Sequence, residues 1–149
     1  VRAVAQRVSQ ACIRVGGEVV GRMGGGLLAL VGVARADDPS AAVELARKLV
    51  HLRVFPDAER RMNASLLESG GTLGVVSQFT LLGDARKGRR PSFGEAAAPE
   101  QAEPLVGALC REAESLGVPV VTGRFGALME VELVNQGPVT ILLDTERRF

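Results

Sequence analysis

The chain has 149 residues, the size of one domain, and is long enough to bury most of its apolar surface without disulfide or metal staples. Its 46% hydrophobic fraction rests mainly on Val, Leu and Ala, with five Phe and no Trp or Tyr, which predicts an aliphatic core held by close packing of branched side chains. A formal net charge of +1 excludes a strongly basic protein that coats nucleic acid and admits only a local basic patch.

Residues Arg2 to Val15 alternate too regularly for a loop, and Gly16-Gly17 in "VGGEVV" sits where a two-residue hairpin turn belongs, so two paired strands open the chain. "GRMGGG" interrupts the pattern before "LLALVGV", Leu27 to Val33, a continuous apolar run suited to a strand buried on both faces. A first helix follows, with Asp38 as its cap and Pro39 at its first position. Val43, Leu45, Leu49 and Leu52 form its apolar side until the chain turns extended near Val54-Phe55. "DAERRMNASLLESGG" reads as a polar connection, and Gly70-Gly71 lead into a strand from Thr72 to Phe79.

From Gly83 to Ala98 the residues are polar, basic and punctuated by Pro and Gly, and a loop that long in one domain is usually functional or mobile. A second helix runs from about Pro99 to Gly117, with Leu105, Leu109 and Leu116 at helical spacing. Two strands, Val118 to Gly123 and Ala127 to Val134, then precede Asn135, Gly137-Pro138 and a last strand carrying Val139, Ile141, Leu142 and Leu143. This order predicts a single α+β domain over residues 1–149, with a mixed sheet and two helices packed on it. Cys12 and Cys110 lie far apart in apolar-periodic segments, which suits two reduced, buried thiols and no secretory disulfide framework. No basic-plus-apolar leader opens the chain and no apolar run reaches the roughly 18 residues of a membrane span, so a cytoplasmic protein with no membrane partner is expected.

Each candidate for chemistry has a plainer alternative. "GRMGGG" lacks the Lys-Ser/Thr ending of a phosphate loop and precedes a strand, so a backbone role outweighs a nucleotide site. His51, the only histidine, has no second ligand at metal spacing, which favours a structural role. Neither cysteine has a neighbouring base in sequence, and no metal or other cofactor is expected. "GDARKGRRPSF" gathers Arg86, Lys87, Arg89 and Arg90; a solvated surface and a phosphate contact explain this run equally well. "SQFT", Ser77 to Thr80, places hydrogen-bonding side chains where a strand ends and meets that loop, a common location for binding groups. The Gly137-Pro138 pair performs a backbone task, at its plainest a tight turn before a strand that Asn135 braces through its amide.

Taken together, "AVAQRVSQACIRV", "VSQFTLLGDARKGRRPSF" and "FGALMEVELVNQGPVT" resemble the D-aminoacyl-tRNA deacylase family from Arg2 to about Asp144. Both family signatures are intact, SQxT as Ser77-Gln78-Phe79-Thr80 and NxGPVT as Asn135-Gln136-Gly137-Pro138-Val139-Thr140, which points to the D-specific branch. The resemblance implies barrel-like layers and an esterase that releases D-amino acids, and glycine, from tRNA without cofactor. It also implies a homodimer in which a cis Gly137-Pro138 bond enters the partner's site. There its carbonyls would hold the substrate ammonium and exclude an L side chain.

Arg7 is implied as the brace of that geometry, and Phe125 and Met129 as lining. Ser77 and Gln78 would shape and polarise the pocket, and backbone N–H groups around Phe79 and Thr80 would polarise the ester carbonyl. Thr80 has no assignable base and is disfavoured as a nucleophile. Arg86, Lys87, Arg89 and Arg90 would contact tRNA, and a non-catalytic nucleic-acid-binding module using the same loop is the alternative. Gln136 and Leu128 depart from the family's commonest residues, an acidic residue and Asp, and bear on substrate preference.

Overall fold

The computed structural model describes residues 1–149. Its sheet is organised by β1, Arg2–Val15, because both edges of this strand are used. One edge pairs antiparallel with β8, Met129–Asp144, along nearly its whole length. The other pairs antiparallel with β3, Gly26–Gly32, beside Arg2 to Val8, and with β2, Glu18–Met23, beside Ala11 to Val15. Beyond β3 the sheet continues in parallel through β6, Thr72–Ser77, to β7, Val120–Thr122. β2 then returns against β7: a Cβ on Gly21 would lie 2.7 Å from the Thr122 carbonyl oxygen and 2.9 Å from Val121 Cγ1. Glycine permits that approach, and the mixed sheet is nearly closed into a barrel.

Residue alternation on β3 explains its continuous apolar run. Leu27, Ala29 and Val31 face a core of 24 buried residues beneath helices α1, Pro39–His51, and α3, Pro99–Ser115. Leu28 points to the other face, where it joins Val8, Ala11, Ile13, Met23 and Val76. On α1 the buried side is Ala42, Leu45, Ala46, Leu49 and Val50, and its start is fixed as the sequence predicts: Asp38 accepts from the Ala41 N–H at 3.0 Å, with Pro39 next.

Three elements differ from the sequence reading. The polar connection contains a small hairpin, β4, Phe55–Pro56, with β5, Met62–Ala64, and a one-turn helix α2, Leu66–Ser69. Both rest on side-chain capping: Asp57 accepts from the Glu59 and Arg61 N–H groups, and Ser65 with Glu68 forms a capping box closed by left-handed Gly70. The strand expected to reach Phe79 stops at Ser77, and a 3-10 helix occupies Phe79–Leu82. The last two expected strands are one, β8. Asn135 pairs with Val8 and Thr140 with Gln6, so Gln136 to Val139 loop out of the ladder opposite Arg7 as an excursion within a single strand.

Candidate functional site

The corner after β6 is set by backbone geometry. Gln78 donates its N–H to the Val31 carbonyl at 2.7 Å, then leaves the strand at φ −146°, ψ 80° and opens the 3-10 helix. Leu81 N–H returns to the Gln78 carbonyl and Gly83 N–H to Thr80. The first N–H groups of such a turn have no partner within it, and those of Phe79 and Thr80 find no acceptor elsewhere in the chain. Two adjacent donors are thereby left free at the end of a buried strand. Gln78 donates its side-chain amide to Thr80 Oγ1, and no imidazole or carboxylate reaches that hydroxyl. An amide cannot take the proton, so no group of this chain is placed to activate Thr80 as a nucleophile.

Beside this corner lies a cleft of about 610 Å³, lined mainly by apolar side chains. Ser77, Gln78 and Phe79 form one wall, and Phe125 and Met129 join Val33 and the start of α3 in the others. The Ser77 hydroxyl makes no hydrogen bond to protein, which leaves it to a ligand. Five of the sequence-predicted residues thus meet at one cleft. Leu128 stands at its mouth, 94% exposed. An apolar cavity with a few free polar groups is the usual form of a small-molecule site.

Asn135, Gly137, Pro138 and Arg7 form a second cluster and line no part of this cleft. The Gly137-Pro138 bond is cis, and Gly137 has φ +140°, a conformation that L side chains rarely adopt. Asn135 clamps the excursion from within: Val139 donates its N–H to Asn135 Oδ1 at 2.8 Å, and the Asn135 amide donates to the Val139 carbonyl and Thr140 Oγ1. Arg7 clamps it from below, with Nε donating to the Gln136 carbonyl at 2.9 Å and Nη1 to the Val54 carbonyl at 2.7 Å. Gly137 and Pro138 remain exposed.

The basic loop is closed at its base, where Asp84 and Ser92 exchange N–H to carbonyl bonds of 2.7 and 2.8 Å. Arg86 is bound by Asp84, at 2.6 Å from Nη2 and 2.9 Å from Nε; this side chain, with the Arg86 N–H, holds the Asp84 carboxyl well below the usual carboxylate range. Lys87, Arg89 and Arg90 are exposed and carry no ion pair. Of the cysteines, Cys110 is buried, and burial pushes its thiol up to about 11; neither it nor Cys12 lines the cleft. His51 ends α1 at the surface. One supporting residue escapes sequence reasoning altogether: Arg2 donates from Nη1 to the Leu81 carbonyl at 3.0 Å and pairs through Nε with Asp144, steadying the 3-10 helix. In the sequence it reads only as one polar position of an alternating strand.

Comparison with known proteins matches the chain to one family. The family model for D-Tyr-tRNA(Tyr) deacylase matches residues 4–144. A D-aminoacyl-tRNA deacylase of Symbiobacterium thermophilum is 58% identical over 148 residues, covering 99% of this chain and 98% of the relative. One from a Roseiflexus species is 59% identical over 144 residues, covering 97% and 93%. Among solved structures, the c-Myc DNA unwinding element binding protein superposes with a TM-score of 0.92 at 35% identity, over 97% of this chain and 99% of that one. A probable eukaryotic D-amino acid tRNA deacylase shares the fold at 19% identity, with a TM-score of 0.82 over 95% and 97%. No helix of the chain is long and apolar enough to cross a membrane. With a family model spanning all but the chain's ends and relatives above half identity over nearly full length, the chain belongs to the D-Tyr-tRNA(Tyr) deacylase family.

Proposed function

We propose that this ester hydrolase, a D-aminoacyl-tRNA deacylase by family, works through the cleft beside Ser77 to Thr80 and selects its substrate through Gly137-Pro138 of a second copy. The observation that carries the reading is the pair of unclaimed N–H groups at Phe79 and Thr80, next to the free Ser77 hydroxyl. Donors fixed in advance and aimed at a carbonyl oxygen stabilise the charge that develops there when water attacks the ester. An aminoacyl ester is already activated, so holding it in place supplies much of the remaining acceleration. The 2′-hydroxyl of the terminal adenosine assists the water, and Thr80 contributes its backbone and no covalent step. Phe125 and Met129 hold the apolar part of the substrate.

The excursion supplies chirality. Its exposed carbonyls capture the substrate ammonium and leave no space for an L side chain, while a D side chain points outward; glycine, with no side chain, passes. Two features support delivery by a second copy. The excursion lines no part of its own cleft, and β8 leaves its outer edge unpaired, with Val134 and Leu142 45% and 55% exposed. A long open edge with apolar side chains calls for a cover.

Deacylation of D-Tyr-tRNA and L-Tyr-tRNA, measured side by side with chelator present and enzyme well below substrate, tests the reading. Release of D-tyrosine alone supports it; equal release removes the filter. A second reading, binding to nucleic acid without turnover, is favoured by the unpaired Lys87, Arg89 and Arg90, and one structural relative is named for binding DNA. Release of neither amino acid, with salt-sensitive tRNA binding retained, would establish it.

A further inference from the structure

We propose that the Phe79–Phe93 ring pair and the closed basic loop form a platform for single-stranded RNA, which takes the nucleotide immediately before the terminal adenosine. The inference rests on the reading that the cleft receives the terminal aminoacyl-adenosine. Phe79 is 56% exposed and Phe93 is 36% exposed, whereas Phe55 is buried in the core. Their rings meet edge to face, with centroids 5.1 Å apart and planes at 67°. Such a contact fixes the pitch of each ring and leaves surface open for a further flat partner. Phe93 is held in turn: a Cβ on Gly83 would stand 3.0 Å from its ring.

Phe79 also lines the cleft, so its ring lies on the path of a strand whose last nucleoside is inside. Phe93 follows directly on Ser92, the closing residue of the basic loop. Arg90 is three residues from Phe93, and at the span of an extended chain its Cα lies within about 11 Å of it, nearer than the reach of one nucleotide plus an arginine side chain. Lys87, Arg89 and Arg90 have no carboxylate partner, unlike Arg86. Exposed aromatic faces next to free cations are the recurring means of holding single strands, the rings taking bases and the cations taking phosphates. A solvated loop accounts for the cations, but it does not account for two exposed rings locked together at its foot.

The test uses two measurements on the full chain. The first is quenching of a CCA trinucleotide whose middle base is the fluorescent analogue pyrrolocytosine. The second is the ratio of kcat/KM for D-Tyr-tRNA to that for the 3′-O-D-tyrosyl ester of adenosine, which lacks the preceding nucleotide. Wild-type protein is expected to quench the probe; Phe93→Leu should abolish the quench and lower the ratio roughly tenfold, through KM, whereas Phe93→Tyr should restore both. Replacing Lys87, Arg89 and Arg90 together by Ser should lower the ratio and flatten its salt dependence. Persistent quenching in Phe93→Leu, or an unchanged ratio, would overturn the proposal. A wild type that hydrolyses neither substrate would instead sink the reading of the cleft, while the quench still decides the platform.

Discussion

Replacing Arg7 by Ala isolates the brace beneath the excursion. The side chain makes two charge-assisted hydrogen bonds, to the Gln136 carbonyl at 2.9 Å and to the Val54 carbonyl at 2.7 Å. Fully shielded bonds of this kind are worth about 1.5–3 kcal/mol each, but the Gln136 contact is exposed and water replaces much of it, so a total loss of about 1–2 kcal/mol is expected. For a domain of this size that lowers Tm by roughly 2–8 °C. The effect on rate should be larger, because misplacing a catalytic contact by about 1 Å costs on the order of a hundredfold. Side-by-side deacylation of D- and L-Tyr-tRNA should therefore show kcat/KM for the D substrate falling about a hundredfold, with weakened discrimination against L. Arg7→Lys keeps the charge but lacks the planar fork that spans two carbonyls, so it should recover stability more than rate. Wild-type kcat/KM and selectivity in Arg7→Ala would refute the assignment.

Gly137→Ala places a methyl 2.8 Å from Val139 Cγ2 and 3.2 Å from Arg7 Nη2 at φ +140°, so selectivity and rate should collapse while circular dichroism stays native. Thr80→Val removes the hydroxyl that accepts from Gln78 and no general base, and kcat should stay within about threefold; total loss with the fold intact would restore Thr80 as a nucleophile. Asp84→Asn frees Arg86 for phosphate, so the logarithmic salt slope of tRNA binding should steepen by about 0.7. Because the Asp84 carboxyl is held below its ordinary value, its pairing is present above the unfolded pKa and lost only as pH falls through the lower folded one. The wild-type salt slope should accordingly show no contribution from this group between pH 5 and 8, and a slope that steepened towards pH 5 would contradict the pairing.

What could be read in the sequence depended on range. β1, β3 and α1 are legible because alternation, an apolar run or a cap with Pro39 is local, and each local signal agrees with the fold around it. α2 and the β4–β5 hairpin are too short to show a period; they depend on what Asp57, Ser65 and Glu68 cap. β8 reads in the sequence as two strands because Gly-Pro ordinarily ends a strand. Here both flanks pair with the same neighbour, β1, which only tertiary register can reveal. The site shows the same limit. Ser77 to Phe79 and Phe125 to Met129 are identifiable as segments, but their meeting at one cleft depends on where β6 ends and β8 begins. Arg2 and the Phe79–Phe93 contact carry no signal of their own.

Under the proposed function, the braces also bear on how the site is completed. Were the excursion a free loop, one chain could fold it onto its own cleft. Asn135 and Arg7 oppose that: Asn135 ties Val139 back across the base of the excursion through two hydrogen bonds, and Arg7, itself bonded to the Val54 carbonyl, ties the Gln136 carbonyl to β1. On that reading, a filter held this firmly meets a substrate only if the substrate's cleft is brought to it. Under the proposed function, a twofold pairing along β8 satisfies both chains at once, since an isologous contact gives each copy's excursion to the other and covers both open edges. Rigidity in the excursion then serves selection directly: a flexible one would yield to an L side chain, and the distinction between the two hands would shrink to the small energy needed to move it.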